Sequence, residues 1–288
     1  MKLLTYNVSG RDFIGVLNED SRSILPIEKY SSMQELIESG ISVEEIAGLA
    51  KNNNKPVLLS DTVKRPPIPY PKQDIICLGL NYSAHAEEAL KASGKSMSAA
   101  SNHAIYFGKR VSETTADGDF ILGHWGITEN TLDYETELAV IIGKDAYKIS
   151  KENAYDHVFG YAVFNDVSAR NLQTRHKQYY FGKSLDSFCP LGPFIVTENE
   201  FNRPPSLRLL TRINGEVRQD SSTDDMIFDV PHIISELSAG IVLKAGTIIA
   251  TGTPAGVGLG FSPPRYLKPG DIVESEIEGI GVLRNIVK

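Results

Sequence analysis

The strongest constraint on the fold is the distribution of apolar residues after residue 70, in short runs separated by turn residues. Runs of this length, bounded by Gly, Pro or Asn-Gly, are typical of β-strands. The runs are DIICLGLNY, AIYFG, LAVIIG, VFGYAVFND, FIVT, LRLLTRING, GTIIATGT and DIVESEIEGIGVLRNIV. Two helices are also predicted, one after Ser168 as its N-cap and one over DVPHIISELSAG that closes at Gly240. The sequence therefore predicts a strand-rich α+β fold.

The first 70 residues differ from the rest of the chain. KLLTYNV and DFIGVLN are separated by Ser9-Gly10, and helical patterning follows in MQELIESG and VEEIAGLAKN. The stretch RPPIPYP at 65–71 cannot continue a helix or a central strand, so we interpret it as a semi-rigid connector. These features predict a small N-terminal α+β domain over 1–70 and a second domain over 71–288.

Composition excludes several classes of protein. The chain has 288 residues, of which 41% are hydrophobic and 23% charged, as in globular proteins. Its formal net charge of -7 argues against a nucleic-acid partner, which needs a basic face. No stretch approaches the roughly 20 apolar residues that span a bilayer, and the N-terminus lacks the apolar core of a signal peptide. We expect a cytoplasmic protein without a membrane partner.

The two cysteines do not form a recognisable motif. Cys77 and Cys189 are far apart in sequence and neither belongs to a CxxC or CxxH pattern. We expect both to be small core residues, with no disulfide and no zinc site.

The segment LDYETELAVIIGK at 132–144 places acidic residues inside a predicted strand. Asp133, Glu135 and Glu137 occupy every second position, so they share one face, while Leu138 to Ile142 would be buried on both faces. Burial and mutual repulsion both oppose ionisation, so such a row persists only if it faces water, meets cations or holds a metal. On this segment alone, a solvated ion-pair network and a metal site both remain open.

A further carboxylate, Asp166, ends the apolar strand FGYAVFND. Together with Glu135 and Glu137 it would form an all-oxygen ligand set. Oxygen ligands suit Mg²⁺, Mn²⁺ or Ca²⁺ better than zinc. Three carboxylates around a divalent cation would leave open positions for a chelating substrate.

Two pairs of polar residues have helical spacing. His85 and Glu88 are three positions apart on a predicted helix after Ser83, close enough for the carboxylate to orient the imidazole. Their spacing alone favours an exposed helix pair. Arg170 and Gln173 have the same spacing after Asp166, and both a substrate-binding role and a helix-surface role remain open.

Two further candidates lie in glycine-rich segments. Lys183 is expected in a glycine-flanked turn of GKSLDSFCPLGP, where an ordinary surface lysine is the alternative. Thr253 lies in IATGTPAGVG with several backbone amides at a strand end, and turn formation is the alternative role of that segment.

Familiar catalytic and nucleotide-binding motifs are not found. FGKS at 181–184 lacks the Gly that a phosphate-binding loop requires five positions before Gly182, where Lys177 stands. GTPAGVGLG does not match GxGxxG, and the chain has neither GxSxG nor HExxH. Nucleotide cofactors, serine hydrolysis and zinc proteolysis have no support.

Six blocks in order resemble the fumarylacetoacetate hydrolase family, from about residue 74 to the C-terminus. They are NYxxHxxE at 81–88, DYExELAVxIGK at 133–144, FNDVSARNLQ at 164–173, GKSxDxFCPxGP at 182–193, INGExRQ at 213–219 and TGTPxGVG at 251–258. The resemblance implies a mixed β-roll catalytic domain, usually paired into a homodimer.

The resemblance also implies roles for the candidate residues. It places a divalent metal on Glu135, Glu137 and Asp166, with Mg²⁺ expected and Mn²⁺ or Ca²⁺ able to substitute. It assigns general acid/base chemistry to His85 and Glu88, and charge stabilisation to Lys183. Arg170, Gln173 and Thr253 are the candidates for substrate binding. Asp133 is not a ligand in the family pattern, so we expect it to cap or pair structurally.

The implied function is that of a Mg²⁺- or Mn²⁺-dependent enzyme acting on a small 2-oxo or 2,4-dioxo acid through a stabilised enolate. The reaction would be acylpyruvate-type hydrolysis, or isomerisation or decarboxylation of a related diacid. The alternatives are an oxaloacetate tautomerase and a non-catalytic, metal-stabilised scaffold on the same fold. Because AEEALKASGKSMSAAS holds few large apolar residues, we also hypothesise that residues 83–101 form a mobile lid.

Overall fold

The computed structural model describes residues 1–53, 55–92 and 103–288. Its strands are β1 (Lys2–Val8), β2 (Arg11–Leu17), β3 (Ser23–Pro26), β4 (Val57–Leu58), β5 (Val63–Arg65), β6 (Ile75–Gly79), β7 (Ile105–Lys109), β8 (Phe120–Ile121), β9 (Leu132–Asp133), β10 (Thr136–Ile142), β11 (Val158–Asn165), β12 (Ser168–Ala169), β13 (Leu191–Thr197), β14 (Arg208–Ile213), β15 (Glu216–Ser222), β16 (Ile248–Ala250), β17 (Ile272–Ile277) and β18 (Gly281–Val287). Its α-helices are α1 (Met33–Glu38), α2 (Val43–Asn52), α3 (Ser83–Ala92), α4 (Trp125–Thr128), α5 (Arg170–His176), α6 (Tyr179–Lys183) and α7 (Val230–Ser238).

A large mixed sheet forms the body of the described chain. Its eleven strands run in the order β4-β3-β2-β1-β13-β11-β10-β16-β6-β7, with β5 also paired to β1. β16 pairs with β6 in parallel, and the neighbouring pair β10 and β16 is antiparallel. Because β1 pairs antiparallel with β13, the N-terminal strands extend the same sheet that contains β10 and β11.

A second sheet of five strands has the order β15-β14-β17-β18-β8, and β9 and β12 form a separate two-stranded pair. β8 pairs in parallel with β18, whereas β14, β15 and β17 are joined by antiparallel pairings. The strand-rich α+β class with mixed sheets, predicted from the punctuated apolar runs, is confirmed.

The central strand β10 is buried along its whole length. Leu138, Val140 and Ile142 pack into a core cluster that includes residues of α7 and of the five-stranded sheet. Ala139 and Ile141 point into a second cluster that includes residues of α1 and α2. The prediction that this run is covered on both faces is therefore confirmed, because each face of β10 packs into its own core cluster.

The N-terminal helices have well-formed starts. Ser42 caps α2 in a capping box, in which its side chain accepts from Glu45 N and the Glu45 side chain accepts from Ser42 N. Ile46 on this helix is fully buried in the same cluster as Ile75 and Ile141. The N-terminal elements therefore share a core with the later strands, and the division at residue 70 stays a prediction.

The start of α5 differs from the prediction. Ser168 is not an N-cap, because it belongs to β12 and pairs with Asp133 of β9. Its hydroxyl donates to the carbonyl of Asp166 at 2.9 Å, and α5 begins two residues later at Arg170 without a side-chain cap. Local sequence favoured the serine as a cap, but pairing with β9 keeps it in extended conformation.

The helix predicted near the C-terminal third is present as α7. The side chain of Asp229 accepts from His232 N at 2.8 Å and caps the helix, which ends at Ser238, two residues before Gly240.

Cys77 and Cys189 are free and buried, as expected. Among the residues that the structure describes, no helix is both long and apolar enough to cross a membrane.

Candidate active site

Strand register brings the three predicted metal ligands together. β10 pairs antiparallel with β11 so that Thr136 faces Asn165. Glu135 directly precedes Thr136 and Asp166 directly follows Asn165. Asp166 N donates a hydrogen bond to Glu135 O at 2.8 Å. Glu137 lies two residues after Glu135. The carboxylates of Glu135, Glu137 and Asp166 each offer an oxygen, and these oxygens all lie within 4.8 Å of one another.

The carboxylate group is buried and only partly neutralised by cations. Glu135 is 5% exposed, Glu137 1% and Asp166 0%. Lys183 Nζ lies 2.5 Å from Glu135 Oε2 and 2.7 Å from Asp166 Oδ2. Arg170 Nη1 lies 2.7 Å from Glu135 Oε1. Two carboxylates therefore share an ammonium, and one of them also binds a guanidinium.

These cations decide the protonation of their partners. Burial acts to raise the pKa of Glu135, but the charges of Lys183 and Arg170 outweigh it and lower that pKa to about 2. Burial acts to lower the pKa of Lys183, and the charges of Asp166 and Glu135 raise it above its usual value instead. Both groups are therefore charged at neutral pH.

Glu137 is the unbalanced member of the group. Within the described residues it has no ion pair with a lysine or arginine, and its Oε2 accepts one hydrogen bond, from Gly252 N at 2.8 Å. Burial, followed by the negative charges of Asp166 and Glu135, raises its pKa well above the usual value. Without a further cation these surroundings favour the protonated carboxyl, and a bound divalent cation would favour its ionised form instead. Three hard oxygen donors within 4.8 Å suit Mg²⁺, Mn²⁺ or Ca²⁺, so the residues present fit such an ion.

Sequence reasoning missed Lys109, the last residue of β7. Its side chain is fully buried, and Nζ donates to Asp166 Oδ1 and, at 2.9 Å, to Val167 O. The rings of Phe164 and Phe188 lie 5.8 and 5.9 Å from the ammonium. Asp166 is thus held by two lysines. In the sequence Lys109 is marked only as the first of two basic residues, Lys109 and Arg110, that follow the apolar run AIYFG.

The predicted acid/base pair is formed on α3. His85 Nδ1 lies 3.1 Å from Glu88 Oε2, and His85 is 7% exposed. Glu88 is in turn held by Gly256 N, which donates to Oε1 at 3.1 Å. Because Nδ1 faces Glu88, Nε2 is the ring nitrogen left for a ligand. The helix predicted after Ser83 is confirmed, and the pair is not an exposed one.

The segment 252–256 forms a turn that contacts Glu137 of the carboxylate group and Glu88 of the predicted acid/base pair. Two positions of this turn require glycine. Gly252 has φ +95°, and a Cβ there would lie 2.8 Å from Asn81 Cβ. Gly256 has φ +103°, and a Cβ there would lie 2.0 Å from Arg218 O. Positive φ and close backbone approach together explain the glycines, and they let the two amides reach the carboxylates of Glu137 and Glu88.

Asp133 is structural, as expected. Its Oδ1 accepts from Gly258 N at 2.7 Å and its Oδ2 from Leu259 N at 2.9 Å. Arg170 Nε lies 2.8 Å from the same Oδ2. Asp133 therefore orients Arg170 and fixes the loop at 258–259, and it lies outside the three-carboxylate group.

A cavity of about 330 Å³ lies over this arrangement. The predicted site residues that line it are His85, Glu135, Glu137, Arg170, Gln173, Lys183 and Thr253. Behind the lining residues, Glu88 contacts His85 and Asp166 contacts Lys183. The structure thus brings all nine predicted site residues to one place, and their individual roles stay predictions.

Some details of the lining differ from expectation. Lys183 is the last residue of α6 and is buried, so the prediction of a glycine-flanked turn is wrong. Arg170 Nη1 donates to Gln173 Oε1 at 3.1 Å, while Arg170 Nη2 is buried without a hydrogen-bond partner among the described residues. Residues 93–101, nine of the nineteen in the hypothesised lid, lie outside the described residues, so that hypothesis stays a prediction.

Comparison with known proteins identifies the family of this chain. The family model described as the C-terminal domain of fumarylacetoacetate (FAA) hydrolase matches residues 74–288. Oxaloacetate tautomerase YisK of Bacillus subtilis (strain 168) is 42% identical over 305 aligned positions, which cover 99% of each chain. This chain therefore belongs to the fumarylacetoacetate hydrolase family.

Two solved structures extend the comparison. A fumarylacetoacetate hydrolase from psychrophilic Exiguobacterium antarcticum has a TM-score of 0.85 at 40% identity, and the match covers 100% of this chain and 99% of the other. Maleylpyruvate hydrolase from Sphingobium sp. SYK-6, in complex with manganese(II) ion and pyruvate, has a TM-score of 0.77 at 29% identity, with 100% and 98% covered. The predicted family, its fold and an enzyme class acting on oxo acids are confirmed.

Proposed function

We propose that this protein is a divalent-metal-dependent enzyme that interconverts the enol and keto forms of oxaloacetate or a close four-carbon analogue. The observation that carries the proposal is the unbalanced carboxylate of Glu137, buried beside Glu135 and Asp166 and facing the same cavity as His85. The full-length similarity to an oxaloacetate tautomerase supports this choice of substrate and reaction.

The metal would be held by Glu135, Glu137 and Asp166, with Mg²⁺ or Mn²⁺ as the expected ion. When bound, it supplies a Lewis acid for the 2-oxo carboxylate group of the substrate. Lys109 and Lys183 hold Asp166 from both oxygens, so this carboxylate cannot rotate away.

The remaining lining residues bind the substrate and move the proton. Arg170 is fixed by Asp133 and Gln173 and still has Nη2 without a partner among the described residues, which suits a substrate carboxylate. Ketonisation removes a proton from the enol oxygen and adds one to C3. His85, oriented by Glu88, would take the proton from the enol oxygen and deliver it to C3, and it would carry out both transfers in the opposite sense in the reverse direction.

Acylpyruvate-type hydrolysis is the second candidate. The same His85 and Glu88 pair would activate a water against the distal carbonyl, which breaks a carbon-carbon bond instead of moving a proton. The similarity to a maleylpyruvate hydrolase supports this alternative. Decarboxylation or isomerisation of a related diacid requires the same stabilised enolate, and a non-catalytic scaffold requires none of this chemistry.

One panel of assays separates these candidates. Freshly dissolved enol oxaloacetate is followed by its ultraviolet absorbance with Mg²⁺, with Mn²⁺ and with EDTA, while pyruvate release reports decarboxylation. Acylpyruvates and the ester analogues of both substrate types are tested in parallel. We expect metal-dependent loss of the enol signal without pyruvate, and poor activity on esters, because these lack the chelating carboxylate.

The His85→Asn variant is the control for the panel, because it removes the acid/base while leaving the three carboxylates intact. Equal enol decay with the variant and with wild type would contradict the tautomerase proposal. Cleavage of acylpyruvates at a higher rate than ketonisation would favour the hydrolase, and inactivity on every substrate would favour the scaffold.

We also propose that the chain forms a homodimer in the cytoplasm. Phe120, Leu122 and Ile127 are 49%, 39% and 44% exposed near the edge strand β8, and apolar side chains of this kind are suited to a subunit interface. Analytical ultracentrifugation tests the dimer.

Two free cysteines are consistent with a reducing compartment. Expression of residues 71–288 alone tests whether 1–70 is a separable domain.

A further inference from the structure

We propose that Gln219 is a positioning residue that holds the three metal-binding carboxylates in register with the His85 and Glu88 pair. Gln219 does not line the cavity, and it acts through the backbone that carries the site residues. The inference rests on the proposed function, because it concerns the geometry of the same site.

The side chain of Gln219 is fully buried and makes four hydrogen bonds. Its Oε1 accepts from Thr136 N at 3.2 Å and lies 2.6 Å from Thr211 Oγ1. Its Nε2 donates to Thr253 Oγ1 and to Pro254 O, each at 2.8 Å. The orientation of the amide is unambiguous, because a backbone N–H can only donate and a backbone carbonyl can only accept.

One half of this amide is bound to the strand that carries the metal ligands. Thr136 is the residue between Glu135 and Glu137, and its N–H points at Gln219 Oε1. This contact fixes the backbone at the point from which both carboxylates project. A shift of the strand here would move two of the three oxygen donors at once.

The other half is bound to the turn at 252–256. Thr253 and Pro254 are the residues that Gln219 contacts, and they lie between the two amides that bind carboxylates. Gly252 N donates to Glu137, and Gly256 N donates to Glu88. Gln219 therefore holds the middle of a turn whose first end contacts a metal ligand and whose last end contacts the acid/base pair.

A hydrogen bond between Thr253 and Thr136 also joins the turn directly to the strand. Thr253 Oγ1 donates to Thr136 O at 2.9 Å, so Thr253 and Gln219 clamp both backbone groups of Thr136. Replacing Gln219 with an apolar side chain of similar length would leave Thr136 N and Pro254 O buried without these partners. The strand and the turn would then be free to separate by the small distances to which metal coordination and proton transfer are sensitive.

The test compares Gln219→Met with Thr211→Val in the full chain. Thr211 is equally buried, and its hydroxyl lies 2.6 Å from both Gln219 Oε1 and Thr136 Oγ1, on the strand side. Its variant therefore removes a hydroxyl on the strand side and keeps both bonds from Gln219 to the turn. For each protein we measure Mn²⁺ affinity by calorimetry, the melting temperature, and kcat and KM for enol oxaloacetate.

We expect Gln219→Met to lose roughly 10- to 100-fold in Mn²⁺ affinity and a similar factor in kcat, as residues that orient metal ligands do. Thr211→Val is expected to melt at a lower temperature than wild type while keeping Mn²⁺ affinity and kcat near wild type. Gln219→Glu, which keeps both acceptor contacts but loses the two donors to the turn, is expected to behave like Gln219→Met and replaces it if that variant does not fold.

The inference is overturned if Gln219→Met and Gln219→Glu bind Mn²⁺ and turn over like wild type. It is equally overturned if Thr211→Val loses affinity and kcat to the same extent, because the effect would then follow from lower stability alone. In both cases the wild-type protein still binds Mn²⁺ and is active. Wild-type protein that neither binds Mn²⁺ nor acts on oxo acids overturns the proposed function as well.

Discussion

The amide nitrogen of Gly256 lies 3.1 Å from Glu88 Oε1, across 168 positions of sequence. The same amide lies 3.3 Å from Glu88 Oε2, the oxygen that also lies 3.1 Å from His85 Nδ1. The candidate acid/base pair is therefore contacted from outside its own helix, by a glycine that no side chain could replace without moving Arg218. The same turn also donates from Gly252 N to Glu137, so it contacts a candidate metal ligand and the candidate acid/base pair.

Substituting Gly256 with alanine tests this relationship. The new Cβ would lie 2.0 Å from Arg218 O, and φ is +103°, so the turn has to move. We expect a loss of about 1–3 kcal/mol in the free energy of unfolding, the range found for overpacked positions. We also expect a lower kcat, because Glu88 loses its amide. Gly240→Ala, where a Cβ meets nothing within 4 Å, is the matched control. Similar denaturation curves and rates for both variants would contradict this account.

Metal binding is expected to stabilise the fold through Glu137. At a free metal concentration of 100 times Kd, mass action predicts a gain of about 2.7 kcal/mol, which EDTA should reverse. Glu137→Gln removes a buried carboxyl whose ionisation is opposed by burial and by its acidic neighbours, and it keeps an acceptor for Gly252 N. We therefore expect the metal-free variant to melt above metal-free wild type, and Mn²⁺ to raise the melting temperature of wild type only. A variant that Mn²⁺ stabilises as much as wild type would remove Glu137 from the ligand set.

Lys109 is expected to be essential for the stability of the metal-free protein. Lys109→Met leaves Asp166 with Lys183 as its remaining cation, and breaking a buried ion pair of this kind costs about 3–5 kcal/mol. Urea unfolding measures the loss, and added Mn²⁺ should restore part of it because the ion also balances Asp166. Lys244→Met is the control. The side chains of Lys244 and Asp145, which form an ion pair, are each more than half exposed. We therefore expect the free energy of unfolding to change by about 1 kcal/mol or less.

His85 and Glu88 are expected to affect turnover without affecting metal binding. His85→Ala should lower kcat by about 10² to 10⁴, the usual contribution of a general acid or base. Glu88→Gln should lower kcat less, since an amide oxygen still accepts from Gly256 N. Calorimetry with Mn²⁺ should give wild-type affinity for both. Normal turnover in His85→Ala would show that His85 is not the general acid or base, and α3 would then have only a structural role.

Several parts of the site were predictable because they depend on local sequence. The two-residue periodicity of Glu135 and Glu137 places both on one face of a strand in any fold that keeps the strand extended. The spacing of His85 and Glu88 brings them into contact on any helix. Family motifs then grouped these pairs with Asp166, Lys183, Arg170, Gln173 and Thr253, and the structure places all nine around one cavity.

Other parts could not be predicted in this way. Ser168 has the right side chain for an N-cap, but its neighbour across the sheet is Asp133, and pairing with that strand overrides the local preference. Lys183 stands beside a glycine, yet it ends a helix and its side chain is buried. At Ser168 the strand pairing outweighs a local N-cap preference of about 1 kcal/mol.

The sequence by itself determined the strand-rich class, the covered strand β10 and the identity of the candidate ligands, because each depends on side-chain periodicity or on motif order. Only the tertiary structure decided that Lys109 reaches Asp166 across 57 positions and that Gln219 reaches Thr136 across 83. The physical reason is that such contacts depend on which strands pair and in which register. Register is set by the burial of whole faces and not by any one residue, so a lone lysine or glutamine carries no local sign of its partner.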